Sequence, residues 1–198
     1  MKRIFPALIV ALLAFTFTAC GPAGRVKEES EGSLVGARTA GAETYNKLIG
    51  ETVEKLLRKH AEASKAKPML VCFVDVENRG AEELAENREA IYEEIDTIIV
   101  NSGAYTNISR RYVEAALRAT GLRTEEIFLG DGRIRFMSVL QKEGFTPDYL
   151  LWGKTTTLST EGTNRREREY LLTLEMVNAK TGVTEAKETA KVRKEYKK

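Results

Sequence analysis

Apolar positions follow three different patterns along the chain. Ile4 to Phe17 is apolar apart from Pro6 and Thr16. This run falls short of the roughly 20 residues that span a bilayer. From Tyr45 the spacing becomes three and four: Tyr45, Leu48, Ile49, Thr52, Val53, Leu56, Leu57 and His60 form one stripe of an amphipathic helix. Pro68 ends that register. Met69 to Val76 follows, short and rich in Val and Phe, and reads as a buried strand. A second helix carries Leu84, Ile91, Ile95, Ile98 and Ile99 inward and stops at Ser102-Gly103. Tyr105 to Ile108 reads as a short strand, so strand, helix and strand imply a right-handed crossover with parallel neighbours. Ser109 stands where a cap belongs before a helix that carries Val113, Ala116 and Leu117 and ends at Gly121. Two shorter helical pieces, Thr124 to Phe128 and Arg135 to Lys142, flank an expected turn at Gly130-Asp131-Gly132.

From Asp148 onward the period is two. Tyr170, Leu172, Leu174 and Met176 alternate with Glu169, Leu171, Thr173 and Glu175, so one face is wet. Asn178 to Gly182 supplies a turn, and the strand from Val183 has small inward residues, Ala186 and Ala190. Its alternating charge at Glu185, Lys187, Lys191 and Arg193 suits an edge. The expected fold is a single α/β domain. Its mixed sheet has parallel first strands and an antiparallel C-terminal meander, with helices packed on it. Trp152, inside the apolar run YLLWG, is expected in the core.

The N-terminal run changes the picture of where this domain works. Lys2 and Arg3 precede it, and Phe17-Thr18-Ala19-Cys20-Gly21 follows, which together read as a secretory signal. The segment resembles a lipobox, in which the chain is cut before a cysteine that then carries acyl chains. Two or more such chains make a stable anchor at about 0.8 kcal/mol per buried methylene. The expected organisation is a signal peptide over residues 1–19, a lipidated Cys20 with a flexible tether over 20–43, and the domain over 44–198. Gly21, where Asp would signal inner-membrane retention, implies an outer-membrane address facing the periplasm. The tether, about 21 residues, separates its ends by roughly 25 Å, with a ceiling near 70 Å.

Charge and side-chain chemistry narrow the function. Without Lys2 and Arg3, the 31 basic residues of the full chain fall to 29, equal to its acidic ones, which argues against a nucleic-acid partner. With Cys20 consumed by lipid, Cys72 has no disulfide partner and reads as a small buried hydrophobe. His60, the only histidine, sits at the end of a helix stripe and reads as structural. No metal-ligand spacing, nucleophile elbow or phosphate loop is present, so no cofactor or metal is expected. The best candidates are Asp75, Glu77, Asn78 and Arg79. They fall just past the expected end of the first strand, where open α/β sheets bind ligands, though Asp and Asn also form ordinary turns there. Arg110, Arg111 and Tyr112 open a helix and make a second candidate partner surface, since Arg and Tyr are enriched at hot spots. Arg at a helix start opposes the macrodipole, which favours a role beyond stability.

Four segments together resemble the LpoB lipoproteins, related in fold to the curli-secretion lipoprotein CsgG. They are Cys20 after its signal peptide, MLVCFVDVEN, NSGAYTNISRR, and DYLLWGKTTTL followed by EYLLTLEMVNAKTG. The resemblance covers most of the chain after Tyr45. It implies a non-catalytic outer-membrane lipoprotein that binds and activates a class A, bifunctional penicillin-binding protein in peptidoglycan synthesis. Known members carry a long Pro-rich tether, and this chain does not. The alternative is an envelope secretion or assembly lipoprotein of the CsgG-like class, for which the chain lacks a spare pair of membrane-crossing strands. A wall hydrolase would need a carboxylate pair that the pattern does not place.

Overall fold

The structure, a computed structural model, describes residues 42–61, 68–80 and 84–197. The chain divides into two units, Met1–Val35 and Gly36–Lys198. The first, where the signal peptide and the lipidated Cys20 are expected, lies outside the described residues, as do residues 36–41 of the expected tether. The second contains helix α1 (Ala42–Ala61), strand β1 (Met69–Arg79), helix α2 (Leu84–Asn101), strand β2 (Tyr105–Asn107) and helices α3 (Arg110–Thr120), α4 (Thr124–Ile127) and α5 (Gly130–Lys142). Strands β3 (Tyr149–Glu161), β4 (Arg165–Asn178) and β5 (Thr184–Lys197) complete it. The strands form one sheet in the order β2-β1-β3-β4-β5. β1 runs parallel to both β2 and β3, and β3, β4 and β5 are antiparallel, as the sequence predicts. No helix among the described residues is long and apolar enough to cross a membrane.

β1 is apolar without interruption from Met69 to Val74, where helices cover both its faces. Val71, Phe73 and Val76 point into a core shared with α1 and α2, where Leu48, Val53, Leu56, Ile95 and Ile99 are buried. Cys72 and Val74 point to the other side, among Val113, Ala116, Ile127, Phe136 and Leu140 of α3, α4 and α5. Each large aliphatic side chain removed from water there contributes about 1.5–3 kcal/mol. Burial pushes the Cys72 thiol up to about 12, opposed slightly by the charge of Arg110, so it behaves as a small apolar group. The meander contributes Tyr170, Leu172, Leu174, Met176 and Ala190 to the first core, and β5 forms an edge. Its opposite face is polar, with Lys187 on Glu175 at 2.6 Å, Arg193 on Glu169 at 2.9 Å, and a Thr173–Thr189 hydroxyl pair at 2.9 Å.

His60 fastens the last turn of α1 to three strands. Its Nδ1 lies 2.9 Å from the Tyr105 hydroxyl on β2 and its Nε2 3.3 Å from Glu185 on β5, while the ring of Tyr149 on β3 meets it edge-on at 4.6 Å. Glu185 also accepts from Asn178 at 2.8 Å and from Tyr149 at 3.1 Å, and these bonds hold its carboxyl below the usual range. The structural reading of this histidine therefore holds.

Several boundaries differ from the expectation, each for a local reason. β1 continues to Arg79, because β3 pairs with it as far as Arg79 opposite Thr156. β2 stops at Asn107, although the Ile108 amide still donates to Val71 O at 2.9 Å. Ser109 occupies the cap position of α3, but its hydroxyl makes no capping bond. Gly130-Asp131-Gly132 is the first turn of α5 rather than a loop. Gly132 is buried there against the Glu126 carbonyl at the end of α4, and a Cβ would lie inside contact distance of that oxygen and its carbon. The glycine thus serves close packing, not a turn conformation. Gly182, at φ 77°, does close the β4–β5 turn as expected. Because backbone rather than a flexible side chain opposes the new methyl, Gly132→Ala should lower stability by at least about 2 kcal/mol, read as a fall in the urea midpoint at unchanged slope.

Candidate functional site

With β2 only three residues long, β1 loses its strand neighbour on that side, and its backbone groups must be paired otherwise. Side chains take over. Phe73 N donates to Asn107 Oδ1 at 3.3 Å, and Asn107 in turn donates to Asp96. Arg110 Nη1 donates to Val74 O at 2.8 Å, and Val76 N donates to Asp75 Oδ1 at 2.7 Å. A register shift between Phe73 and Asp75 in the pairing with β3 marks a bulge here, a common way to re-aim a side chain.

The re-aimed group is the Asp75 carboxylate. Its Oδ1 also accepts from the Tyr92 hydroxyl and from Arg88 Nη2 at 2.7 Å, and its Oδ2 accepts from the Thr124 hydroxyl at 2.8 Å. Arg88 Nε donates to the Tyr92 hydroxyl at 2.9 Å, and the Arg110 guanidinium stacks over the Tyr92 ring at 4.0 Å. Burial works to raise the Asp75 pKa. The bonds from Tyr92, Thr124 and Arg88, with the charge of Arg88, outweigh it and hold the carboxyl below its ordinary value. Burial likewise drives the Tyr92 pKa up, and the neighbouring Asp75 carboxylate adds to the rise.

Beside this knot lies a cleft of about 550 Å³. Leu117 and Leu122 supply its apolar side chains, Val76 lines it from β1, and Asp75, Glu77, Asn78, Arg88, Arg123, Thr124 and Glu125 complete it with polar groups. β1 has parallel neighbours on both sides, reached by chain running in opposite directions across the sheet, so the cleft occupies the switch point at the carboxyl end of that strand. Its size is ordinary for a small-ligand or side-chain pocket.

The structure brings Asp75, Glu77 and Asn78 to this cleft, but within β1 rather than past its end, and not in a turn. Arg79, also in β1, is exposed, with Nε donating to Glu77 Oε1 at 2.6 Å. The three residues opening α3 separate. Arg110 is turned inward onto Val74 and Tyr92, and its other bond is to Glu114 at 3.1 Å, so its unfavourable place at a helix start is offset by these contacts. Arg111 is exposed, and Tyr112, 42% exposed, packs its ring on Phe145 at 4.7 Å. Neither lines the cleft. Trp152 is half-buried, not a core residue: it stacks with Phe128 at 5.8 Å, and its indole nitrogen is buried without a partner. Sequence reasoning missed Arg88, Tyr92 and Thr124. A signal existed for the first two, since Arg88, Tyr92, Ile95 and Ile99 continue the inner stripe of α2 at spacings of four, three and four. Thr124 has no such local signature. Among the described residues no group of three or more His, Cys, Asp or Glu is placed to hold a metal.

The family model described as Peptidoglycan-synthase activator LpoB matches residues 42–192, about three quarters of the chain. The chain belongs to the LpoB family. Solved structures of other members resemble it, among them the LpoB C-terminal domain from Escherichia coli, at 19% identity over 75% of this chain and 97% of that one, with a TM-score of 0.44. The corresponding LpoB domain from Salmonella enterica is 16% identical at the same coverage and TM-score. Lipoprotein GNA1162 from Neisseria meningitidis is 12% identical over 65% of this chain and 84% of that one, with a TM-score of 0.48. No curated protein matches the chain in sequence. The LpoB-family match runs from the start of α1 into β5, with the cleft inside it.

The Asp75 knot generates a pH prediction. A carboxyl whose folded pKa lies below its ordinary 3.8 contributes stability that is fully present above that value and is lost as pH falls through the folded one. Asp75→Asn should therefore cost about 1–3 kcal/mol at neutral pH by weakening four accepted bonds. Urea denaturation followed from pH 7 to 2 should show the wild-type and variant stabilities converging as the acid is approached.

Proposed function

We propose that this LpoB-family member is a non-catalytic lipoprotein, anchored through acyl chains on Cys20 at the periplasmic face of the outer membrane. There it binds a class A penicillin-binding protein and raises its glycan-polymerising and cross-linking rates. The observation that carries this reading is the family match over residues 42–192. The interior of the cleft supports a binding role. Both Asp75 oxygens are filled by donors from α2, α4 and the backbone, which makes the carboxylate a clamp rather than a proton carrier. Activation requires only that the domain bind the active conformation of the synthase more tightly than the inactive one, a differential affinity of about 1.4 kcal/mol for each tenfold shift. A tether of about 21 residues, with its ends roughly 25 Å apart, keeps this domain close to its membrane. The synthase must accordingly present its docking surface near the outer membrane, or the envelope must be narrow.

Two measurements test the two halves of the proposal. Cys20→Ser should abolish palmitate incorporation and move the protein from the membrane to the soluble fraction; retention with label intact would remove the anchor. Affinity capture from detergent-solubilised envelopes with the full chain should recover a class A penicillin-binding protein, and adding the chain to that purified synthase should raise its polymerisation rate several-fold. Capture of secretion or assembly proteins alone would transfer the chain to the CsgG-like class.

A further inference from the structure

β5 ends the sheet, and among the described residues no strand pairs with its outer side. At 14 residues it is far longer than the usual strand of about 5–6. An edge presents a row of unpaired N–H and C=O groups, which proteins ordinarily blunt with short strands, proline, bulges or charge. β5 contains neither proline nor glycine, and its register with β4 runs unbroken from Ala186 to Lys197. Charge is the device that remains.

The order of those charges singles out one pairing. Two identical edges related by a twofold axis through the sheet run antiparallel, and where residue i faces j, j faces i. With Lys191 on the axis, Lys187 faces Glu195 of the other copy and Glu188 faces its Lys194, each twice by symmetry, while Arg193 faces Thr189. Only Lys191 then meets a like charge, its own counterpart. Moving the axis to Ala190 sets Lys187 against Arg193. Moving it to Val192 sets Lys191 against Arg193 and Lys187 against Lys197. Like charges oppose the registers on either side and opposite charges favour the one between, so the pattern selects a partner instead of merely repelling one.

The pairing of β5 with β4 points the same way. Within the chain Glu195 stands opposite Glu167, and Lys194 stands opposite Arg168. Like charges directly opposite one another are destabilising, and Arg193, 3.2 Å from Glu167, offsets only the first pair. In the register centred on Lys191 a second copy brings Lys187 to Glu195 and Glu188 to Lys194, the opposite sign at both positions.

We propose that two copies of this chain pair antiparallel through their β5 edges, with Lys191 on the twofold axis, and join their two five-stranded sheets into one. Backbone hydrogen bonds supply the attraction and the side chains select the register, the division of labour found in strand addition. The charge pairs are solvent-exposed, so the dimer weakens as salt is raised. The inference rests on neither the activator reading nor the acyl anchor.

Disulfide trapping tests the register. The full chain is purified in detergent, given one new cysteine at a time and oxidised mildly; the unsubstituted chain sets the background, and Cys72 is buried out of reach. Lys191→Cys should form a linked dimer by itself, because facing residues of antiparallel strands have Cα atoms about 4.5–5.5 Å apart, within the span of a disulfide. Thr189→Cys and Arg193→Cys should each cross-link about tenfold more slowly alone than when the two are mixed. Sedimentation equilibrium supplies a second measurement, in which Lys194→Glu should weaken dimerisation about five- to tenfold. That exchange places an opposite charge beside Arg168 within the chain, so its urea midpoint should not fall, which separates a lost interface from a lost fold. A wild type that stays monomeric at every concentration, Thr189→Cys cross-linking alone as fast as in the mixture, or an undiminished dimer in Lys194→Glu would overturn the proposal.

Discussion

At the carboxyl end of β1 the arrangement of the described domain centres on the Asp75 carboxylate, which is shared between helices from both faces of the sheet. β2 covers only three residues of β1, so side chains pair the backbone of that strand further on. One side chain, redirected by a bulge, binds the hydroxyl of Tyr92 and the guanidinium of Arg88 on α2, the hydroxyl of Thr124 on α4, and the amide that follows it on β1. Arg110 closes the arrangement by stacking on Tyr92 while donating to Val74. Low dielectric strengthens each of these bonds and makes the loss of any one expensive, which is how a polar network rigidifies a small region.

The resulting rigidity matters for an activator-family domain. A surface that must discriminate between two conformations of a partner gains nothing from adapting to both, since equal affinity shifts no equilibrium. On the side formed by Asp75, Arg88 and Thr124 the cleft is bounded by groups that hold one another, so that part of its shape is set before anything enters. The long meander beyond β1 carries internally paired charge on its open face, Lys187 with Glu175 and Arg193 with Glu169, and so offers little unsatisfied chemistry by comparison.

Element order, the parallel-then-antiparallel sheet, the edge position of β5 and the burial of Cys72 and His60 were legible because each rests on periodicity or local composition. The run from Met69 to Val76 could belong only to a strand covered on both faces, and the alternation from Tyr170 to Met176 only to one with a wet side. What was not legible rests on partners distant in sequence. Three further residues joined β1 because β3, 77 positions away, pairs with them. Gly130-Asp131-Gly132 has the composition of a turn, and nothing nearby in sequence says that Glu126 would press against Gly132. For the site, Asp75, Glu77 and Asn78 could be named from their place near the end of a strand, and Arg88 and Tyr92 from helical spacing that had been read only for its aliphatic members. Thr124 could not, since only the fold brings α4 over the end of β1.

The same long-range pairing bears on how the chain assembles. Leu70 N donates to Asp148 Oδ2 across 78 positions, and β1 is flanked by β3 over most of its length. β3, β4 and β5 are consecutive hairpin neighbours and can form from local contacts, whereas β1, made before them, must wait for β3. During that interval the segment MLVCFV has no sheet to enter and is a ready template for misassociation. A chain made N-terminus first therefore exposes its most apolar strand before the longer of that strand's two neighbours exists.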